Sequence, residues 1–150
     1  MVLFVVLFIL SLDQLTKFLI SRNFALNQPL AVIKGIFYIT LVHNRGAAFG
    51  ILRDQVWLFI LISIIAILLI FFNLKKSEPL KVSLYTISLS LILAGGLGNL
   101  IDRIVYGYVV DFLDFRVWPV FNIADSAITI GAVLLGWQIL FSRAASRKLY

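Results

Sequence analysis

Cysteine is absent from the 150-residue sequence, and histidine occurs once, as His43. Without cysteine, the chain can form no disulfide, thiolate nucleophile, cysteine-ligated metal site or cysteine-linked lipid anchor. A single histidine leaves little material for a metal site. The sequence also lacks the His-Glu-x-x-His zinc signature, the Gly-x-Ser-x-Gly nucleophile elbow and the Walker-type glycine loop, which argues against the hydrolases and nucleotide-binding proteins built on them.

Charged side chains are scarce: they make up 13% of the chain, against 62% hydrophobic residues, and the mean hydropathy is +1.06. A water-soluble domain could not bury so much apolar surface. Four segments approach the roughly 20 residues that a helix needs to cross a hydrocarbon core; they are 2–20, 56–72, 83–101 and 123–141. We therefore predict an all-α membrane protein, a four-helix bundle forming one domain over residues 1–150. The first segment is predicted to be a retained helix, because it lacks the basic start and small-residue cleavage site of a signal peptide.

The net charge of +6 comes from basic residues that lie mainly at the segment ends, so no nucleic-acid partner is expected. On one side of the membrane, the second connection and the C-terminal tail are dense in basic residues: Lys75, Lys76, Lys81, Arg143, Arg147 and Lys148. Six more, on the other side, are spread over two longer connections. Cytoplasmic segments carry the excess of lysine and arginine, which predicts that both termini are cytoplasmic.

Residues 30–43, in the long first connection, are rich in Val, Ile, Phe, Tyr and Thr. This composition favours strands. With Gly35 inside it and the turn-like Asn44-Arg45-Gly46 after it, the segment predicts a small extracytoplasmic sheet or hairpin between the first and second helices. Such a sheet could cradle an extended peptide. The second outer connection, residues 102–121, carries aromatic residues of the kind that collect at a membrane interface.

Asp13 and Lys17 lie inside the first apolar segment, four residues apart and so on one helix face. Each charge costs roughly 2.5 to 3.5 kcal/mol at a helix centre, so the two are expected to pair or to lie near a helix end. One interpretation is an ion pair that fixes the depth of the helix, and the other is support for a nearby polar site.

The third segment ends in a glycine cluster followed by Asn99, Asp102 and Arg103. Glycines let helices approach closely. The three polar residues recur at three and four positions, so they can share a face that points into the bundle. The alternative is that Asp102 and Arg103 are interfacial charges where the helix leaves the lipid.

Two further aspartates are predicted at the same lipid boundary. Asp125 follows Asn122 by three residues at the start of the fourth segment, an arrangement that also fits a simple helix cap. Asp111 lies fourteen residues earlier, among hydrophobic neighbours. Two close carboxylates in a low-dielectric site share one proton. The ionised member can then take a proton from water while the protonated one assists the scissile carbonyl and the leaving amine.

Five ordered motifs resemble the lipoprotein signal peptidases, the type II signal peptidases of bacteria, over nearly the whole chain. They are Asp13-Gln14-x-Thr16-Lys17, Asn44-x-Gly46-Ala47-Ala48-Phe49-Gly50, Gly95-Gly96-x-Gly98-Asn99-x-Ile101-Asp102-Arg103, Val109-Val110-Asp111-Phe112 and Phe121-Asn122-x-Ala124-Asp125. The resemblance implies an aspartic endopeptidase with Asp111 and Asp125 as the catalytic pair and with no cofactor.

The same resemblance implies the substrate, a prolipoprotein whose cysteine already carries diacylglycerol and which is cut on the amino side of that cysteine. It assigns Asn44, Asn99, Arg103 and Asn122 to positioning, and Asp13, Lys17 and Asp102 to support. The expected setting is the bacterial cytoplasmic membrane, with the active site at the extracytoplasmic face among membrane lipids and the protein working as a monomer.

Two other functions compete with this interpretation. A small membrane transporter or channel subunit would also hold polar residues in the membrane, but it predicts them along the full depth, whereas here they cluster toward one side. A non-enzymatic assembly factor would use Asp125 only as a helix cap and the glycines only for packing.

Overall fold

Four long apolar runs without internal proline form the four helices of the protein. The computed structural model describes residues 1–46, 52, 54–76 and 83–146. Its helices are α1 (Val2–Asn23), α2 (Val56–Lys76), α3 (Leu84–Tyr106) and α4 (Ile123–Ser146). Each is long and apolar enough to cross a membrane, so the four predicted spans are confirmed. The helices continue for three to five residues beyond the predicted C-terminal ends, because polar residues such as Arg22 and Arg103 remain helical outside the apolar core.

The central helix of the bundle is α3, which packs against α1, α2 and α4. Its small residues allow this close packing. A Cβ atom at Gly98 would lie 2.6 Å from Asp13 Oδ2, and one at Gly95 would collide with the carbonyl oxygen of Ala124. The predicted glycine cluster therefore places α1 and α4 directly against α3. This contact brings the polar residues of all three helices together.

Three antiparallel strands form a sheet in the order β1 (Pro29–Ile33), β2 (Phe37–Asn44) and β3 (Val109–Asp114). The first two strands form the predicted hairpin, which turns at Gly35 with φ of +84°. The third strand was not predicted, since the sheet was expected only between the first two helices. Five of the six β3 residues are buried, so this strand has no polar and apolar alternation to reveal it in the sequence.

Successive residues of a strand point to opposite faces of the sheet. Because β2 and β3 are paired, side chains from both strands meet on each face. Asn44 pairs with Val109, and His43 pairs with Val110. Asn44, Val109 and Asp111 line one cavity, whereas His43 and Val110 line another. The sheet thus forms a wall between two hollows.

The loop after β3 returns the chain to the same strand before α4 begins. The amide N–H groups of Phe112 and Leu113 donate to the carbonyl oxygen of Phe121, at 2.9 and 2.8 Å. This return places Asn122, the residue before α4, beside Asp111. Residues Ala47 to Gly50 of the second motif, and Lys81, Arg147 and Lys148 among the predicted cytoplasmic residues, lie outside the described part of the chain.

Candidate active site

Asp111 and Asp125 line the same cavity, although they come from different elements. Asp111 lies on β3 and is buried, and Asp125 lies in the first turn of α4 and is half-buried. The cavity has a volume of about 270 Å³ and is also lined by Asn44, Asn99 and Arg103. The structure therefore brings together the two predicted acids and three of the predicted positioning residues.

Asn122 connects the two carboxyl groups. Its side-chain Nδ2 donates to Asp111 Oδ1 at 2.7 Å, and its backbone N–H donates to Asp125 Oδ2 at 3.3 Å. Asn122 Oδ1 accepts in return from the backbone N–H of Asp125 at 2.8 Å. The predicted N-terminal cap is thus present, and the same residue that caps the helix also holds both acids.

Three asparagine side chains have a fixed orientation, because the Oδ1 of each accepts from a group that can only donate. The donor is the backbone N–H of Gly46 for Asn44, the ammonium of Lys17 for Asn99, and the backbone N–H of Asp125 for Asn122. The Nδ2 of each must then point the other way. Asn44 donates to Asp111 Oδ2 at 2.9 Å, and Asn99 donates to Asp125 Oδ1 at 2.7 Å. Each carboxyl group therefore receives two N–H donors of defined direction.

Lys17 connects the charged residues behind the cavity. Its Nζ lies 2.8 Å from Asp13 Oδ2, 2.9 Å from Asp102 Oδ2 and 3.0 Å from Asn99 Oδ1. The ion pair expected from the spacing of Asp13 and Lys17 is therefore present within α1, and Lys17 also contacts Asp102 and Asn99 on α3. Asp13 Oδ1 accepts from the backbone N–H of Ala124 at 2.9 Å, which ties the pair to the first turn of α4.

Asp102 does not line the cavity, unlike its neighbours Asn99 and Arg103. It is 1% exposed and accepts from the backbone N–H of Val110 at 3.0 Å in addition to Lys17. Arg103 lies one turn after Asn99 on the same face of α3 and lines the cavity with it, and its guanidinium carbon lies 5.1 Å from the centre of the Phe59 ring. Among the residues in the described ranges, no group of three His, Asp or Glu side chains is placed to hold a metal ion.

Burial raises the pKa of Asp111 to about 7, and the nearby carboxyl of Asp125 contributes in the same direction. The hydrogen bonds from Asn44 and Asn122 oppose this shift. A carboxyl that titrates near neutral pH can hold a proton while a neighbouring carboxyl is ionised. The cavity therefore has the electrostatics of an acid and base pair.

Two features of the site were not predicted from the sequence. Gln14 Nε2 donates to Asp13 Oδ2 at 3.1 Å and to Asp102 Oδ1 at 3.0 Å, and its presence in the first motif was the only signal for this role. An apolar hollow of about 440 Å³ opens beside Asp125, lined by Phe115, Trp118, Phe121, Ser126, Thr129 and Ile130. From the sequence, the aromatic residues of the second outer connection predict only a location at the membrane interface.

The model of the family described as signal peptidase (SPase) II matches residues 5–141. The chain belongs to this family. It is 46% identical over 138 residues to a lipoprotein signal peptidase of Moorella thermoacetica, covering 92% of this chain and 91% of that protein. It is 49% identical over 137 residues to a lipoprotein signal peptidase of Halothermothrix orenii, covering 90% and 92% respectively.

A solved structure of a bacterial membrane enzyme, determined by the in meso method at 2.3 Å resolution, has the same fold with a TM-score of 0.86. The two sequences are 35% identical, and the alignment covers 98% of this chain and 90% of that one. The family recognised from the five motifs is therefore confirmed, and the chain is a bacterial multi-pass membrane peptidase. Membership of a peptidase family also decides against the transporter and the assembly factor.

Proposed function

We propose that the chain is an aspartic endopeptidase that removes the signal peptide from diacylglyceryl-modified bacterial prolipoproteins, cutting on the amino side of the lipidated cysteine. Its membership of the signal peptidase II family and its likeness to lipoprotein signal peptidases support the substrate. The observation that carries the mechanism is that Asp111 and Asp125 line one cavity and are joined by Asn122. Asp111 and Asp125 are the catalytic residues in this proposal.

In this mechanism Asp125 is the base and Asp111 the acid. Asp125, ionised and held by Asn99 and by the backbone N–H of Asn122, takes a proton from water as the water oxygen bonds to the scissile carbonyl carbon. Asp111 gives its proton to the carbonyl oxygen, which forms a neutral tetrahedral intermediate. Asp125 then passes its proton to the amide nitrogen, the C–N bond breaks, and the hydroxyl proton of the intermediate returns to Asp111. Both carboxyl groups end in their starting states.

The other polar residues position this pair. Asn44, Asn99 and Asn122 aim their N–H groups at the carboxyl oxygens, and Arg103 on the cavity wall is placed to bind a substrate carbonyl. Lys17, paired with Asp13 and Asp102, donates to Asn99 and so fixes its orientation. Asp13 also accepts from the backbone of Ala124 and so holds the first turn of α4 in place. These residues complete the proposed site within one chain, and we propose that the enzyme works as a monomer.

The apolar hollow beside Asp125 supports a lipid-bearing substrate. It shares Trp118, Phe121 and Thr129 with the catalytic cavity, so the two spaces adjoin. Acyl chains attached to the cysteine would remain in the bilayer while the scissile bond enters the polar cavity. The density of basic residues at the other end of the bundle supports cytoplasmic termini and an extracytoplasmic active site.

A paired-substrate assay tests this function. The purified enzyme is given one precursor peptide in two forms, with diacylglyceryl-cysteine or with free cysteine. Two acyl chains hold the first form in the detergent or lipid phase that contains the enzyme. We expect kcat/KM to be at least about a hundredfold higher for the lipidated form. Equal cleavage of both forms, or cleavage elsewhere than before the cysteine, would contradict the proposed substrate. The Asp125→Asn protein is the control for contaminating peptidases.

A further inference from the structure

A second polar hollow lies behind the wall formed by β2, β3 and α3, on the opposite face from the catalytic cavity. Its volume is about 280 Å³. The alternation of strand residues separates the two spaces: Asn44 and Asp111 face the catalytic cavity, whereas His43 and Val110 face the second hollow. The residues that line this hollow hold no substrate-contacting role in the mechanism described above.

One side of the hollow is a stripe of α1. Gln14, Lys17, Phe18, Ser21 and Arg22 all line it and recur at three and four positions, so they share one helix face. The opposite side consists of three stacked rings. The centres of the His43 and Tyr108 rings are 3.9 Å apart, and those of Tyr106 and Tyr108 are 5.8 Å apart.

The acidic group in this hollow already has hydrogen-bond partners within the protein, whereas several donor groups do not. Asp102, the one acid that lines it, is 1% exposed and accepts from Gln14, Lys17 and the backbone of Val110. No carboxylate there is available to a ligand cation. His43 also lines the space, with its ring stacked on Tyr108. The other polar groups that line it can donate: they are the guanidinium of Arg22 and the hydroxyls of Ser21, Tyr106 and Tyr108, for which no hydrogen-bond acceptor occurs among the described residues.

The donors that line the hollow suit an anionic ligand, and the position of the hollow indicates that this ligand comes from the membrane. Arg22 and Ser21 are exposed at the end of a membrane-spanning helix, and the Phe18 ring lies one turn deeper, 4.6 Å from the Arg22 guanidinium carbon. A ligand with its charge at Arg22 and an apolar tail along Phe18 would follow the helix into the bilayer. Tyrosine side chains such as Tyr106 and Tyr108 occupy the same interfacial level in membrane proteins.

We propose that this hollow binds the phosphodiester headgroup of an anionic membrane phospholipid, with Arg22 as the charged donor and the hydroxyls of Ser21, Tyr106 and Tyr108 as further donors. The site is distinct from the proposed peptidase site and does not depend on its chemistry. Arginine suits a phosphate because its planar guanidinium donates two parallel hydrogen bonds to the phosphate oxygens. The bound lipid would fix the depth of α1 next to the sheet that carries Asp111.

Native mass spectrometry of the full-length protein in detergent tests this proposal, with phosphatidylglycerol titrated as the probe. We expect saturable binding that Arg22→Gln weakens by about tenfold or more, since a charged hydrogen bond is lost. The double substitution Tyr106→Phe and Tyr108→Phe keeps the ring stack but removes two hydroxyls, and it should also weaken binding. Lys34→Gln is the matched control, because it removes one exposed basic charge from the β1–β2 turn; its affinity should stay within about twofold of wild type.

Three outcomes would overturn the proposal. Arg22→Gln binding phosphatidylglycerol as tightly as the wild type would remove Arg22 from the site. Phosphatidylcholine binding as tightly as phosphatidylglycerol would indicate that the aromatic stack takes a quaternary ammonium group instead. Glycerol phosphate alone binding as tightly as the lipid, with the same dependence on Arg22, would show a site for a soluble phosphate rather than for a membrane lipid.

Discussion

Replacing either Asp111 or Asp125 by asparagine is expected to lower the rate of prolipoprotein cleavage by at least about a hundredfold and by up to about ten-thousandfold, the range that acid–base assistance contributes. Asparagine has nearly the shape of aspartate, but it can neither take a proton from water nor give one to the carbonyl oxygen. The cleavage rate of the double variant should be little lower than that of each single variant, because residues that act as a unit have non-additive effects. The measurement is kcat for a diacylglyceryl precursor peptide with purified, folded proteins.

The matched control for this experiment is Asp114→Asn. Asp114 is a buried aspartate on the same strand as Asp111, but its carboxylate accepts from Thr40 Oγ1 at 2.6 Å and does not line the catalytic cavity. Its substitution should cost stability and leave the activity of the folded protein within a few-fold of wild type. Near-wild-type cleavage by a folded Asp111→Asn or Asp125→Asn protein would remove that residue from the catalytic pair.

The substitution Lys17→Met is expected to be the most destabilising change in the bundle. Lys17 is 3% exposed and is the cation for both Asp13 and Asp102. Methionine fills a similar volume but leaves two buried carboxylates without their counter-ion, and breaking such a buried ion pair costs about 3–5 kcal/mol. We expect a large fall in the thermal-denaturation midpoint in detergent. In the fraction that folds, kcat should fall, because Asn99 loses the donor that aims its Nδ2 at Asp125.

A double-mutant cycle with Asp13→Asn separates charge from packing in this prediction. Removing one of the two unpaired charges should recover part of the lost stability, so the effects of Lys17→Met and Asp13→Asn are less than additive. Lys75→Met, at an exposed lysine near the end of α2, is the control for the loss of one positive charge. Additive effects, or a Lys17→Met protein as stable as Lys75→Met, would show that the ion pairs contribute little.

The sequence was sufficient to predict the four membrane spans, because runs of about 20 apolar residues have few other stable arrangements. It was also sufficient for the β1–β2 hairpin, whose composition and Gly35 turn are local signals. Strand β3 was missed, because burial on both faces removes the alternation by which a strand is recognised.

In the candidate site, too, contacts between residues close in the sequence were predictable, and contacts between distant elements were not. The spacing of Asn122 and Asp125 predicted the helix cap, and the spacing of Asp13 and Lys17 predicted their pairing. That Lys17 also contacts Asp102 and Asn99 required α1 and α3 to be placed against each other. No local sequence pattern predicts these contacts, since they depend on the close packing of α1 against α3 at Gly98. The same is true of Asn122 reaching Asp111, which depends on the return of the chain along β3.

Asp111 and Asp125 are expected to form one coupled pair that holds a proton near neutral pH. Carbon-13 NMR of protein labelled at the aspartate carboxyl carbons tests it directly, with the six aspartates assigned from single asparagine variants. We predict that the Asp111 carboxyl titrates with a pKa of about 7, instead of the ordinary 3.8. Asp125→Asn should move this titration to lower pH, because the negative charge at Asp125 that favours the protonated form of Asp111 is gone. Asp114→Asn should leave it unchanged. An Asp111 carboxyl that titrates at its ordinary value and does not respond to Asp125→Asn would contradict the account.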